Sequence, residues 1–587
     1  MASSLDNQAV ARILREIADL LEIKSDNPFK IRAYRNVADI AVNHPHQLAL
    51  LDETGLREIP GIGKDLAAKI REIAETGGSA FHRELLAEFP PTILDLLHLQ
   101  GVGPKTVATL YRELGIRTLD DLERAAKDGR VRALRGMGGK KEALLLKALE
   151  ERKRYAGRHL LPDAHDAAAA LIDYLRERAP LATITAVGSL RRGCDTCGDL
   201  DLLASGADRT LMDDFVGYAR VERILGHGDT NSSVLLSGGF QADLRLVPPQ
   251  SRGAALQYFT GSKAHNIALR DRAIGLGLKL NEYGVFRTGL LDTGEPGNGD
   301  TAGDQIAGAT EEEVYGALGL EWIPPELREM HGEIEAGLAK RLPRLVDRAD
   351  LRGDLHMHTT ETDGKDDLRV MAEAAREAGL EYVAVTDHSK ALAMANGLDE
   401  HRTLAHAARI RALDGEGIGL RLLAGIECDI KPDGSLDLAD DCLAALDLVV
   451  ASVHSAFDQD GQQMTERLLR AIENPHVDIL GHPSGRRILQ REPYPFDVVK
   501  VIDTAVTRGV ALEINCQKHR LDLNDVHARL ARDRGARIVI SSDAHSRAAV
   551  GALGWGVVVA RRAWLGPEQV VNTQPFDAFR KSLRRNR

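Results

Sequence analysis

Apolar and polar positions change period three times along the chain. Over residues 5–155 apolar side chains recur at three- and four-residue spacing between short glycine-bearing turns, which predicts helices throughout. Residues 181–300 shift to short strand-like runs, Ile184–Val187, Leu200–Leu203 and Ala242–Val247, mixed with helical patterns. The stretch Gly294–Thr310, opening Glu295-Pro296-Gly297-Asn298-Gly299-Asp300, predicts a loop, and Arg341–Arg352 a charged connector. From residue 353 onward apolar runs alternate with helical patterns, as in a βα barrel or layered sheet.

Composition narrows the class. A chain of 587 residues holds about four domains of ~150 residues. With 43% hydrophobic and 28% charged residues it reads as soluble and globular. No run reaches the ~18 apolar residues of a membrane span, and the start lacks a basic segment leading into an apolar one. Five cysteines predict a reducing compartment rather than a disulfide framework. The net charge of −11 is unevenly spread: residues 1–160 carry 26 Lys/Arg against 23 Asp/Glu, while 11 of the 20 histidines follow residue 350. The two ends therefore carry different chemistry.

Three turns in the helical stretch share one theme: Pro60-Gly61-Ile62-Gly63-Lys64, Gly101-Val102-Gly103-Pro104-Lys105 and Gly136-Met137-Gly138-Gly139-Lys140. Gly-x-Gly between short helices points free N–H groups at one spot, and a following lysine adds charge for a phosphate. Such a turn grips DNA of any sequence. A single copy is better read as a plain helix–helix turn; two well-formed copies and a weaker third favour paired helix-hairpin-helix grips on DNA.

The sharpest motif of the first half is Gly188-Ser189-Leu190-Arg191-Arg192-Gly193 followed by Gly198-Asp199-Leu200-Asp201. Residues two apart on a strand face one way, so Asp199 and Asp201 pair, and Asp243 on the run 242–247 supplies a third carboxylate. Three carboxylates suit two Mg²⁺ ions that stabilise phosphoryl transfer. The Gly-Ser turn and Arg192 offer donors for a triphosphate. Cys194 and Cys197, without two further close ligands, do not make a zinc site.

These residues resemble the nucleotidyltransferase pattern of family X DNA polymerases, and Tyr258-Phe259-Thr260-Gly261-Ser262 with Asn266 and Arg270 is similar to that family's nucleotide-contacting segment. The resemblance implies metal ligation by Asp199, Asp201 and Asp243, with Asp243 as proton acceptor from the primer 3′-OH. It implies nucleotide contacts from Gly188, Ser189, Arg192, Gly198, Tyr258, Phe259, Gly261, Asn266 and Arg270, the Tyr-Phe pair excluding a ribose 2′-hydroxyl. Lys263 stands where an acidic residue is common, and is expected to strengthen nucleotide binding; Gln241 replaces an arginine of many relatives. Some members are also 5′-deoxyribose phosphate lyases, and alignment on the first glycine turn puts Lys69 at the Schiff-base position and Lys30 at a 5′-phosphate contact. Asp65, beside Lys64, replaces a phosphate-binding lysine, and Lys69 fits a solvated helix lysine equally. Gly61, Gly63, Lys64, Gly101, Gly103 and Lys105 would hold the DNA backbone.

The second half places metal ligands at the ends of successive apolar runs: His356, His358, Asp363, His388, Glu427, His454, His482, Asp543 and His545. Strand C-termini of an α/β barrel converge on one face whatever their separation in sequence. Nine such ligands imply two or three Mn²⁺, Zn²⁺ or Fe²⁺ ions, and imidazoles argue against Mg²⁺ or Ca²⁺. The set His-x-His, Thr-Asp-His-Ser, Gly-Ile-Glu, Gly-His-Pro and Ser-Asp-Ala-His resembles the polymerase and histidinol phosphatase (PHP) domain. That resemblance implies a distorted seven-stranded βα barrel with a trinuclear site and 3′→5′ exonuclease or abasic-site activity. Glu513 and Asn515, at the end of the run 510–514, fall on the same face and are expected to support the ligands.

The expected architecture is multidomain: a helical DNA-end-binding, lyase-like domain with a helix-hairpin-helix (1–85), a second helix-hairpin-helix subdomain (86–160), an α+β nucleotidyltransferase palm (161–260), a nucleotide-selecting subdomain (261–330), a linker (331–350) and a PHP barrel (351–587). The expected enzyme is a cytoplasmic, monomeric bacterial repair polymerase acting on gapped or nicked DNA with dNTPs and Mg²⁺ or Mn²⁺, in base excision repair, joined to a 3′-end-processing nuclease. A small-molecule phosphoesterase in place of the nuclease, or a DNA-binding scaffold with an inactive barrel, are the alternatives.

Overall fold

The computed structural model describes residues 7–43, 48–76, 78–98, 102–134, 137–139, 141–143, 145, 146, 149, 157–288 and 302–586. Gly101, Gly136 and Lys140 of the glycine turns and the opening Glu295–Asp300 of the expected loop lie outside them.

The front is helical, as its spacing requires. Helices α1 (Asn7–Lys24) and α2 (Pro28–Asn43) bury Leu14, Ile17, Leu21, Tyr34 and Val37 in one core. Helix α3 (Lys64–Thr76) adds Ala67, Ile70 and Ile73, and α4 (Pro104–Leu114) adds Val107 and Leu110, so one core runs beneath both glycine turns. At a typical 1.5–3 kcal/mol per fully buried aliphatic side chain, this shared burial rather than helix propensity holds the short helices together.

The palm is a five-stranded mixed sheet. Its strands are β1 (Thr183–Ala186), β2 (Asp199–Ser205), β3 (Val221–Gly226), β4 (Asn231–Leu236) and β5 (Gln241–Val247), in the order β1-β2-β5-β4-β3. Alternating Leu200, Leu202 and Ala204 face helix α5 (Leu161–Arg178), which covers the sheet with Leu171 and Leu175. Helices α6 (Arg252–Thr260) and α7 (Lys263–Gly275) follow, then an antiparallel sheet of β6 (Leu278–Asn281), β7 (Gly284–Thr288) and β8 (Ala302–Ala307). Strand β8 corrects the expected loop. Its sequence, Ala-Gly-Asp-Gln-Ile-Ala, lacks apolar alternation, and pairing with β7 makes it a strand.

The expected linker 331–350 is also corrected. It contains a helix, Glu333–Leu338; Glu333 is fully buried with Nδ1 of His265 at 2.8 Å, and Ile334 and Leu345 join the core around Tyr315. The Val346 N–H donates to the carbonyl of Leu565 at 2.9 Å, so the connector is packed along the following domain. A charged sequence read as a connector is instead anchored by one buried pair and two apolar side chains.

The last domain is a seven-stranded parallel sheet of β9 (Gly353–Asp354), β10 (Tyr382–Val385), β11 (Arg421–Asp429), β12 (Leu448–Ser452), β13 (Ile479–Leu480), β14 (Ala511–Asn515) and β15 (Ile538–Ser541), in sequential order. A parallel bridge between Met357 and Ala544 nearly closes it into a barrel. Both strand faces are buried. Val383, Leu422, Val449, Leu512 and Ile538 face the outer helices, while Tyr382, Leu423, Val450, Ala511 and Val539 fill the inside against Phe579 of the C-terminal helix.

Helix α8 (Gly554–Arg562) joins this barrel to the palm: Trp555 and Val558 pack against the palm core, and Trp564 enters the core around Tyr315.

Candidate functional site

Parallel pairing of β2 with β5 sets Asp201 opposite Asp243 and Asp199 opposite Gln241. One carboxylate oxygen from each of Asp199, Asp201 and Asp243 lies within 4.8 Å of the others. Burial, with Asp199 and Asp243 alongside, pushes the Asp201 carboxyl up to about 6, and burial and Asp243 raise Asp199. Three carboxylates crowded this closely fit a hard divalent cation. Gln241 donates to Asp243 at 3.0 Å, and the Ser233 hydroxyl donates to its other oxygen. Ser233 on β4 escaped the sequence reading, because only the sheet order brings it there.

Gly188 has φ +64°, and a Cβ on it would stand 2.5 Å from Oδ2 of Asp201. The Gly-Ser turn is therefore pressed against the carboxylates, with Ser189 half-buried. Arg192 differs from an open phosphate donor: its Nε donates to Glu329 at 2.9 Å and its Nη1 to the Thr260 carbonyl at 2.5 Å. Gly261, at φ +70°, follows that carbonyl, and a Cβ there would meet Arg192 at 3.2 Å. Tyr258 and Phe259 stand edge to face with ring centres 5.1 Å apart, and Arg245 lies over the Phe259 ring. Asn266 is engaged locally, donating to the Tyr258 carbonyl and accepting from Gln257, both at 2.6 Å. Lys263, at the start of α7, and Arg270 are exposed, as is Gly198. Cys197 packs into the palm core and Cys194 lies against Glu329.

At the front, Lys30 and Lys69 meet: their Nζ atoms lie 4.5 and 4.8 Å from the centre of the Phe81 ring, on which Tyr34 stacks. Phe81 is the meeting point that spacing alone did not reveal. Gly61, at φ +97°, and Gly63 are exposed before α3, with Lys64 its exposed first residue; Gly103 caps α4 with open space around it, beside exposed Lys105.

In the barrel the nine expected ligands converge. Three groups form: His358, Asp363, His388 and His545; His356, His358 and Asp543; and His388, Glu427 and His454. His482 stands outside these groups, its Nε2 3.0 Å from Oε1 of Glu427. Glu427 lies within β11 rather than at its end, two residues before the last, because β11 runs on to Asp429. The period of two explains the placement: inward Leu423 leads to Glu427, and inward Ala511 to Glu513 and Asn515.

The donor set fits transition-metal ions. His356 Nε2, His358 Nδ1 and His482 Nδ1 are buried without hydrogen-bond partners. His356 Nδ1 faces Glu513 at 2.7 Å and His454 Nδ1 faces Asp429 at 2.5 Å, which leaves the opposite nitrogens free to ligate. Burial, with His388 and His545 nearby, lowers His358 to about 4, so its imidazole is neutral near pH 7. Burial alone would raise Glu427, yet His454, His356 and His388 hold it well below the carboxylate range. Asn515 donates to Asp543 at 2.9 Å, and Asp387 accepts from Thr359, Thr362 and His406 beneath the site. Asp429 and Arg520, whose Nε is 3.9 Å from Asp543, were not expected; the Glu-x-Asp spacing of 427 and 429 is the signal for the first, and no local pattern marks the second.

The order of parts and the two sites define the class, a family X DNA polymerase joined to a PHP domain. Models of known families agree: a helix-hairpin-helix domain at 5–79, a SAM-like helix-hairpin-helix tandem at 93–151, a DNA polymerase beta thumb at 255–329 and a PHP domain at 354–517. The DNA polymerase/3′-5′ exonuclease PolX of Bacillus subtilis (strain 168) is 36% identical over 580 residues, spanning 98% of this chain and 99% of that one. The chain belongs to the bacterial PolX family. Probable phosphatases of Thermoanaerobacter sp. (strain X514) and Shewanella sediminis are 31% and 32% identical over 38% of this chain and 89% of their own length. Among the described residues no helix is long and apolar enough to cross a membrane.

Proposed function

We propose that this protein fills short gaps during DNA repair, base excision repair included, adding deoxynucleotides to a primer 3′-OH, and that its barrel shortens or cleans 3′ ends by phosphodiester hydrolysis. The observation that carries the reading is the register of Asp201 against Asp243 with Asp199 beside them, in a chain that also holds a separate imidazole–carboxylate cluster.

Asp199, Asp201 and Asp243 would hold Mg²⁺ or Mn²⁺, which supplies charge to the triphosphate and acidity to the primer hydroxyl. Asp243, oriented by Ser233 and Gln241, accepts the 3′-OH proton. The backbone at Gly188 and Ser189 cradles phosphate oxygens, and Lys263 adds a cation at the start of α7. Arg192 reaches the triphosphate after leaving Glu329. Tyr258 and Phe259 bar a 2′-hydroxyl, and Asn266 and Arg270 face the nucleotide's base side. Gly61, Gly63, Lys64, Gly103 and Lys105 hold DNA phosphates, as Gly101 would.

In the barrel, His356, His358, Asp363, His388, Glu427, His454, His482, Asp543 and His545 would hold two or three Mn²⁺, Zn²⁺ or Fe²⁺ ions, which supply Lewis acidity to a phosphodiester and a water. Glu513, Asp429 and Asn515 fix the ligand rings and carboxylates. Abasic-site cleavage belongs to the same site. Lys30 and Lys69 against Phe81 support a lyase step on 5′-deoxyribose phosphate. The protein works as a cytoplasmic monomer.

The test is a 5′-labelled primer on one-nucleotide-gapped DNA with Mn²⁺, with and without dNTPs. Asp201→Ala should lose extension alone and His358→Ala shortening alone; shortening that survives His358→Ala refutes the nuclease reading. The probable phosphatases at 31–32% identity favour a second reading, a small-molecule phosphoesterase. Faster hydrolysis of histidinol phosphate than of DNA would select it.

A further inference from the structure

Two loops of the barrel, 482–491 and 516–522, run side by side at the rim of the metal cluster. Arg487 and Arg491 form an antiparallel bridge, and the Ile488 N–H donates to the His519 carbonyl. Together the loops carry Arg486, Arg487, Arg491, Lys518 and Arg520. The cations grade from the palm to the cluster. At one end Arg486 pairs with Asp195 of the palm at 2.6 Å and Lys518 with Asp163 at 3.0 Å. At the other Arg520 approaches Asp543 at 3.9 Å.

In the middle of the strip the one carboxylate that acts on Arg491 is Asp522, buried beneath it. Among the described residues neither Arg487 nor Arg491 has a carboxylate within ion-pair reach. Arg487 is exposed, and Arg491 is held in place by two hydrogen bonds to the Gly485 carbonyl and by the Phe457 ring, 3.8 Å from its guanidinium. Burial, then Arg520 and Arg487, lower the affinity of Arg491 for its proton, as like charges in close quarters require. Arginines gathered beside one another, two of them without an ion-paired carboxylate, are suited to anions, and a guanidinium matches phosphate oxygens.

We propose that Arg487, Arg491 and Arg520 form a phosphate track for single-stranded DNA, holding the strand whose 3′ end enters the barrel. Arg520 meets the phosphate nearest the cluster, and Arg491 and Arg487 meet those behind it. Because Arg486 and Lys518 seat the same loops on the palm, the track begins where the polymerase domain ends, and a primer end can pass between sites without leaving the protein. The track rests on the nuclease reading of the barrel.

The test uses the full-length protein and compares Arg487→Ala/Arg491→Ala, Arg487→Lys/Arg491→Lys and Arg487→Glu. Readouts are shortening of a 5′-labelled single strand across a salt series, hydrolysis of thymidine 5′-p-nitrophenyl phosphate, and gap filling. Two lost phosphate contacts should flatten the log–log salt dependence by about 1.4 and lower the rate on DNA roughly tenfold at moderate salt. The lysine pair should keep the slope, and the small phosphodiester and gap filling should change less than about twofold. Arg487→Glu, at an exposed position, keeps the test open should the alanine pair not fold, and should lose at least as much on DNA. An unchanged rate and slope on DNA, or equal loss on the small phosphodiester, overturns the track. Shortening that persists in His358→Ala instead overturns the nuclease reading beneath it.

Discussion

Arg562 of the barrel domain donates to Glu329 across the domain boundary at 3.0 Å, and the oxygen it reaches, Oε1, is the one that Arg192 of the polymerase site contacts at 2.9 Å. Arg562 also donates to the Arg192 carbonyl at 2.7 Å and pairs with Asp525 at 2.8 Å. Its replacement by alanine strands Asp525 and leaves Glu329 to Arg192 alone. Such a loss typically costs about 3–5 kcal/mol, so Arg562→Ala should unfold at clearly lower urea concentration than the parent, with Arg562→Lys between them. Equal midpoints would show the pairing to be energetically idle.

Glu311 and Glu329 set a stability limit in acid. Burial opposes their ionisation, but Arg191 and Arg328 hold Glu311, and Arg562 and Arg192 hold Glu329, each at about 2 against 4.5 when unpaired. A depressed carboxyl stabilises the fold above the unfolded value and loses that contribution as pH falls through the folded one. Each should contribute about 3 kcal/mol above pH 4.5, lost between pH 4.5 and 2. Unfolding measured over that window should show the slope, and Glu311→Gln should flatten it.

Gly188→Ala places a methyl against Asp201 in a backbone conformation that favours glycine. Nucleotide incorporation should fall about a hundredfold or more while shortening of single-stranded DNA is retained. A variant with near-normal incorporation would mean that the turn does not set the position of Asp201.

Lys263→Ala removes an exposed cation at the start of α7. The nucleotide dissociation constant should rise about three- to tenfold, a change of ~1 kcal/mol, read by fluorescence titration with a nucleotide analogue. An unchanged constant refutes the role given to Lys263.

Lys69→Ala should abolish borohydride trapping on a 5′-deoxyribose phosphate end, and Lys30→Ala should weaken it. Phe81→Ala, which removes the ring on which both lysines rest, should lower trapping as well. Trapping unchanged by Lys69→Ala sinks the lyase assignment.

Much of this molecule was legible in one dimension because its chemistry is carried by short periods. The i, i+2 rule puts Asp199 and Asp201 on one face, and strand ends collect His358, His388, His454 and Asp543 on one rim whatever their separation. Elements without apolar alternation were not legible: β8 exists through pairing with β7, and 331–350 is ordered by Glu333 against His265 and by Ile334 and Leu345 in a distant core. The partners of isolated charges were equally hidden. Nothing local to Arg192, Glu329 or Arg562 announces their shared contact, and Lys30 and Lys69 are brought together at the ring of Phe81. By itself, then, the sequence determined which chemistry each segment can carry, because side-chain type and strand or helix period are local properties. The tertiary structure alone decided which charges neutralise one another and which stay free for phosphate, because that depends on burial and on distances across elements that no local period encodes.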